Sequence, residues 1–145
     1  MARDKKLALV AGTLLRTAGV TDGMNVLLGI GGSEDSFRAL DKTIDRAQEA
    51  GDSLTVAILE NPDSDPDPDD LAERARTALE DAGLTPDVHV LEGHAGSQLV
   101  DFAEREGHEL IVLGGGETSP LGKVQLGSIA EFVLLNATVS VTLVR

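Results

Sequence analysis

The residues of this chain whose types and spacing could do chemistry gather around two glycine turns. Ile30-Gly31-Gly32-Ser33 follows the apolar run Val26-Leu27-Leu28, and Gly114-Gly115-Gly116-Glu117 follows Leu110-Ile111-Val112-Leu113. Further on, Gly127-Ser128 opens another apolar-periodic segment. A buried strand that leads through glycine to a helix start is the usual build of a phosphate cradle. Glycine lets backbone N–H groups come close to an anion, and the helix N-terminus adds positive partial charge. The candidate ligand residues are therefore Gly31, Gly114, Gly115, Gly127 and Ser128. Glu117 stands in the middle of the second turn and would repel a phosphate, while Pro120 has no N–H to offer. Lys123 is the sole lysine beyond Lys42 and reads as an exposed loop residue.

Other chemistry is sparse. Ser33 and Ser128 follow glycine, but neither lies in Gly-x-Ser-x-Gly, and helix capping accounts for both. His89, His94 and His108 are too scattered for a metal site of the His-Glu-x-x-His kind and read as structural or surface residues. His94, in the turn Gly93-His94-Ala95-Gly96, is the one nearest a ligand-bearing end. The stretch 60–70, ENPDSDPDPDD, is acidic, but it lacks the central glycine and terminal glutamate of a calcium loop and reads as solvated loop. The chain has no cysteine, which excludes disulfides, thiolate metal sites and cysteine catalysis. No metal site and no catalytic residue is assigned, and the chain is read as a non-enzyme.

The elements that position the glycine turns follow from periodicity. Asn25–Ile30, Leu54–Leu59, Asp87–Leu91, Leu110–Leu113 and Val139–Val144 read as strands. Between them lie helices with apolar stripes: Phe37, Leu40, Ile44 and Ala47, stopped by Gly51; Leu71, Ala75, Ala78, Leu79 and Ala82, stopped by Gly83; Leu99, Val100 and Ala103, stopped by Gly107; and Ile129, Phe132, Val133 and Leu135. Strands alternating with helices imply an α/β fold with a parallel sheet covered on both faces and right-handed crossovers. Ligands of such sheets sit beyond the carboxyl ends of the strands, where strand order reverses. Both glycine turns follow strand ends.

Composition narrows the partners. The chain of 145 residues fits one domain of ordinary size. It carries 12 basic and 25 acidic side chains, a net charge of −13, with 3 phenylalanines and neither tyrosine nor tryptophan. Such acidity argues against nucleic-acid backbones and anionic membrane surfaces, and no apolar run approaches a membrane span. Aspartate-rich, lysine-poor composition resembles that of halophilic cytoplasmic proteins; in molar salt the Debye length is about 3 Å and self-repulsion is screened. Residues 1–23 carry 4 basic and 2 acidic groups (+2), whereas 24–145 carry 8 and 23 (−15). Leu7, Val10, Ala11, Leu14 and Ala18 recur at helical spacing, so 4–18 reads as an amphipathic helix within a separate extension, 1–23. The alternative is that translation begins at Met24 and the extension is an artefact of the assigned start.

Residues 24–145 resemble the universal stress protein family. The resemblance rests on MNVLLGIGGSEDSFRALDKTIDRA, on GHAGSQLVDFAEREGHELIVLG and on GSIAEFVLLNATVSVTLVR, in that order. It implies a flavodoxin-like, doubly wound, three-layer fold whose five-stranded parallel sheet has the order 3-2-1-4-5. It also implies a homodimer paired through the last strand, Val139–Val144. The family's nucleotide-binding members carry Gly-x-x-Gly, nine residues, then Gly-Ser/Thr; here Gly114 and Gly127-Ser128 match, and Glu117 replaces the second glycine. Gly31 stands where those members have an aspartate, and Ala130 where they have a second small hydroxyl. The expectation is a cytoplasmic stress-response module that works by association with a regulatory protein and has impaired ATP binding. The alternative is a sensor of ATP with Mg²⁺, or of a related adenine nucleotide, using the Gly114–Ser128 loop.

Overall fold

The computed structural model describes residues 23–31, 34–60, 67–114, 117–118, 124–125 and 127–144. The helix expected over 4–18 lies outside them, as do Gly32, Ser33, Gly115, Pro120 and Lys123. Five strands form one sheet: β1 (Asn25–Ile30), β2 (Ser53–Leu59), β3 (Val88–Leu91), β4 (Leu110–Gly114) and, last in the chain, β7 (Ser140–Val144). Their order across the sheet is β3-β2-β1-β4-β7, and every neighbouring pair is parallel. This is the expected 3-2-1-4-5 arrangement. Four helices among the described residues connect them: α1 (Glu34–Ala50), α2 (Pro68–Asp81), α3 (Ala95–Arg105) and α4 (Ser128–Asn136).

Period-two alternation along the strands divides the core in two. Val26, Leu28, Ile30, Val56, Ile58 and Val112 face α1 and α2, against Phe37, Leu40, Ile44, Leu71, Ala75 and Leu79. Leu27, Ala57, Leu59, Ile111 and Leu113 face the opposite way, against Leu99, Val100, Phe102 and Ala103 of α3 and Ala130 and Val133 of α4. Burial of each large side chain contributes about 1.5–3 kcal/mol.

Local sequence explains the helix ends. Asp67 caps α2 by accepting the Asp69 N–H at 2.8 Å, and Pro68 supplies a first residue with no amide to satisfy. The acidic loop expected over 60–70 is therefore helical from Pro68 onward. At the far end Gly83, at φ 78°, donates to Glu80 and lets Leu84 reach back to Leu79, which closes α2 in a Schellman turn. The turn expected at Gly93–Gly96 is shorter than the sequence implied. His94 is the cap of α3, and Ala95 and Gly96 are already helical.

At the start of β1 the chain is bound to its neighbours through a buried carboxylate. Asp52, with its side chain 1% exposed, accepts the Met24 N–H at 2.9 Å and the Arg46 Nε–H at 3.1 Å. Gly23 lies so close to this turn that an added Cβ would come within 2.1 Å of the Gly51 carbonyl oxygen.

Close approach also joins α3 to α4. A Cβ on Gly96 would lie 2.7–2.9 Å from Cδ1, Cγ and Cβ of Phe132. The ring cannot retreat without moving its own helix. Gly96→Ala is expected to lower stability by about 1–3 kcal/mol in denaturant titration, the range for overpacked cores. Trimming the ring in Gly96→Ala/Phe132→Leu should recover part of that loss; strictly additive losses would show that the two residues do not press on each other.

Candidate functional site

Strand order reverses at β1. The chain steps outward from β1 to β2 and β3, then returns to lay β4 on the other side of β1. The register Gly29↔Leu113 puts Ile30-Gly31 beside Gly114, and Gly114 in turn faces Val144. Gly31 and Gly114 thus lie side by side at the carboxyl ends of adjacent strands, where a doubly wound sheet takes its ligand. The Gly31 N–H donates to Ser36 Oγ, 3.2 Å away in the first turns of α1.

The other half of the site is the start of α4. Gly127 is its cap residue, with φ −70° and ψ 163°, and makes no side-chain cap hydrogen bond. A Cβ added to Gly127 would meet nothing within 4 Å, so the approach is open. Ser128 is the first helical residue and is exposed. The expectation that Ser128 caps the helix is therefore corrected: glycine holds the cap position, and Ser128 is the first residue of the helix. Ala130, two residues on, is 5% exposed and packs into the core with Val133.

Between β4 and α4 periodicity predicts no strand. Instead, β5 (Glu117–Thr118) pairs antiparallel with β6 (Val124–Gln125), Glu117 opposite Gln125 and Thr118 opposite Val124. The ladder commits part of the loop backbone to itself. Two-residue strands carry no readable alternation, so periodicity had nothing to detect. Gly115 lies outside the described residues.

Two contacts near the same end escaped sequence reading. Glu60, just past β2, accepts the Gly93 N–H at 3.0 Å and ties the ends of β2 and β3 together. His94 Nδ1 accepts the Ser97 N–H at 3.1 Å, so its proton is carried on Nε2, and its ring stands edge-on to Phe132 at 4.8 Å. Capping by histidine has no sequence signature of its own, whereas Ser, Thr, Asp and Asn do.

The remaining histidines are His89, on β3 opposite Ala57, and His108, just before the amino end of β4. Asp87 links Thr55 Oγ1, at 2.9 Å, to His89 Nε2, at 2.8 Å. The Phe102 ring lies between His89 at 5.1 Å and His108 at 5.7 Å. His108 is 8% exposed, and its Nδ1 has no hydrogen-bond partner among the described residues. Burial pushes its imidazole below the ordinary value of 6.5, against the raising pull of the Glu106 and Asp87 carboxylates. Among the described residues no three histidine, aspartate or glutamate side chains come together to hold a metal ion. No described helix is long and apolar enough to cross a membrane.

The sequence pattern of the universal stress protein family matches residues 24–145. This chain belongs to that family. A universal stress protein of Methanocaldococcus jannaschii is 33% identical over 73 residues, which is 50% of this chain and 43% of the relative. The chain thus matches less than half the length of that relative. A universal stress protein from Archaeoglobus fulgidus superposes with a TM-score of 0.71 at 22% identity, covering 84% of this chain and 98% of its own. Another universal stress protein, solved in complex with cAMP, gives 0.67 at 24% identity, covering 86% of this chain and 98% of its own. These likenesses establish the flavodoxin-like universal stress fold for the chain.

The neutral state of His108 predicts an acid-sensitive term in the stability of this universal stress domain. Because the folded value is depressed, the contribution is present above pH 6.5, the ordinary value, and is lost as pH falls through the folded value. His108→Phe, which keeps a ring stacked on Phe102, is expected to flatten that part of the profile in thermal melts between about pH 5 and 8. An unchanged acid slope in the variant would assign the effect to other groups.

Proposed function

We propose that this protein is a dimeric, non-enzymatic regulatory module of the universal stress type, acting in a high-salt cytoplasm through a protein partner, and that its open sheet end binds ATP poorly. The observation that carries the reading is Gly31. Residue 31 itself carries no carboxylate, and its backbone N–H is engaged by Ser36. A missing hydrogen bond to a charged group is worth about 1.5–3 kcal/mol, or tenfold to a hundredfold in affinity. Glu117 adds repulsion, since two unit charges 4 Å apart oppose each other by about 4 kcal/mol at an effective dielectric near 20. A triphosphate bears that penalty more heavily than a single phosphate.

A second reading, a nucleotide sensor, is favoured by the glycine that holds the cap position of α4 without a capping side chain and by the cAMP carried by one structural neighbour. On that reading the ligand is an adenine nucleotide with one phosphate. The dimer reading draws support from β7. It is an edge strand with its outer backbone groups unmatched in the sheet order, and Val141, Leu143 and Val144 are half-buried. Such an edge is a ready template for pairing.

Titration calorimetry in molar KCl is expected to show Mg-ATP binding weaker than about 1 mM, with Gly31→Asp/Glu117→Gly tightening it at least tenfold. Micromolar ATP affinity in the unaltered chain would overturn the impaired-site reading. Heat from cAMP without heat from ATP would favour the sensor. Sedimentation is expected to find a dimer that Thr142→Glu, a like charge added to the edge strand, converts to monomer; a monomeric parent chain refutes the pairing.

A further inference from the structure

Resting on the reading that this protein acts through a protein partner, we propose that the outer edge of β3 takes that partner: an extended basic segment that adds to the sheet as a further strand. β3 ends the sheet on the side opposite β7, so this surface is separate from the edge assigned to dimer pairing. Among the described residues no strand pairs with β3 from outside.

The ladder between β2 and β3 shows which backbone groups are left over. The Val56 N–H donates to the Asp87 carbonyl at 2.9 Å, and Val56 lies in register with Val88. In a parallel ladder the residues that bond inward alternate along the strand. Asp87, His89 and Leu91 therefore bond toward β2, while the N–H and C=O of Val88 and Val90 point away from the sheet. The edge is bounded at both ends. Pro86 has no N–H, and Gly93, at φ 99°, turns the chain out of line. Thr55 Oγ1 donates to Asp87 at 2.9 Å and the Gly93 N–H to Glu60 at 3.0 Å, so both ends are also held to β2. A fixed, unpaired edge is what strand addition uses: main-chain bonds supply affinity, and flanking side chains choose the partner.

Charge names the partner. Asp87 and Glu92 bracket β3, Glu60 sits by its carboxyl end, and Glu80 and Asp81 close the helix that leads into it. Arginines of the two helices packed on β3 are already engaged: Arg76 with Glu73 at 3.0 Å, Arg105 with Glu106 at 3.6 Å, and Arg74 over the Phe37 ring. His89 is bonded to Asp87. Lysine is a common guard of exposed edges, yet none lies between Lys42 and Lys123. Val90, 36% exposed, adds an apolar contact. A segment alternating lysine or arginine with β-branched residues fits this edge. A second copy does not, because antiparallel pairing of two β3 edges through Val88 and Val90 would bring Asp87 of one copy beside Glu92 of the other.

Amide hydrogen exchange read by NMR separates the two sets of backbone groups. In the free chain the Val88 and Val90 amides are expected to exchange at least tenfold faster than those of His89 and Leu91. A heptapeptide alternating lysine and valine, added at about 0.3 M KCl so that charges in contact still attract, is expected to slow Val88 and Val90 at least tenfold and leave His89 and Leu91 unchanged. A heptapeptide alternating glutamate and valine is expected to do neither. Val90→Pro removes an outward N–H without touching the bonds to β2, and should abolish the effect. Glu92→Lys, which leaves the backbone intact, should weaken the basic peptide at least threefold. Equal slowing by both peptides, slowing that persists in both variants, or no slowing at all overturns the proposal. Val88 and Val90 amides already slow in the free chain overturn it too, and a dependence on protein concentration then names a second copy as the cover. Cross-linking in cells that finds no second protein on this chain removes the partner reading itself, whereas cross-links to a second protein that avoid residues 87–92 remove only the edge assignment.

Discussion

Every feature of this molecule depends on the burial of β1 on both faces. Val26, Leu28 and Ile30 point into one core and Leu27 into the other, and β2 and β4 saturate the strand's hydrogen bonds from either side. A parallel strand with two apolar faces cannot meet water on either, so helices must cover both. Two helices on each side satisfy that demand. The chain can place them only by building outward from β1 in one direction and then returning to build in the other. The reversal sets the ends of β1 and β4 side by side, and the candidate site is a by-product of covering the sheet.

The same demand sets where side chains are forbidden. A Cβ on Gly29 would crowd the Cδ atoms of Leu113, Leu99 and Leu59, at 2.9, 3.0 and 3.3 Å, and those side chains would have to shift. Gly96 lets α3 approach Phe132, and Gly23 lets the chain enter β1 beside Gly51. The buried Asp52 then ties the first residue of the domain to the turn before β2, using a backbone amide and an arginine to offset the cost of its burial. At the ligand end the glycines act differently. Gly127 leaves space that neighbouring atoms do not fill, and the β5/β6 ladder pairs part of the loop backbone with itself.

Most of the architecture was legible in the sequence, because long amphipathic helices and buried apolar strands carry strong periodicity. Phe37, Leu40, Ile44 and Ala47 were assigned to the inner face of α1, and all are buried. Gly51, Gly83 and Gly107 were assigned to helix ends, and all have positive φ. The errors lie where a pattern is short or a residue serves an unusual purpose. Leu135 fits the stripe of α4 yet faces outward, since that helix is too apolar for its stripe to define a direction. His94 and Asp67 cap helices from within stretches that read as turn and acidic loop. Ser128 follows the cap instead of forming it.

The sequence by itself determined the family, the strand and helix order, and the residue types at the two glycine turns: Gly31, Gly114, Glu117 and Gly127. These are properties of residue type and spacing, and folding does not alter them. Tertiary structure alone decided which of these residues meet. Strand order brought Gly31 and Gly114 together across more than eighty positions of chain, because hydrogen bonding between β1 and β4 is nonlocal and leaves no mark on local sequence. It also paired Glu117 with Gln125, buried Ala130 and left Leu134 and Leu135 facing water. Contacts between distant segments follow from how two helical layers share one sheet, and the periodicity of any single segment does not encode that division.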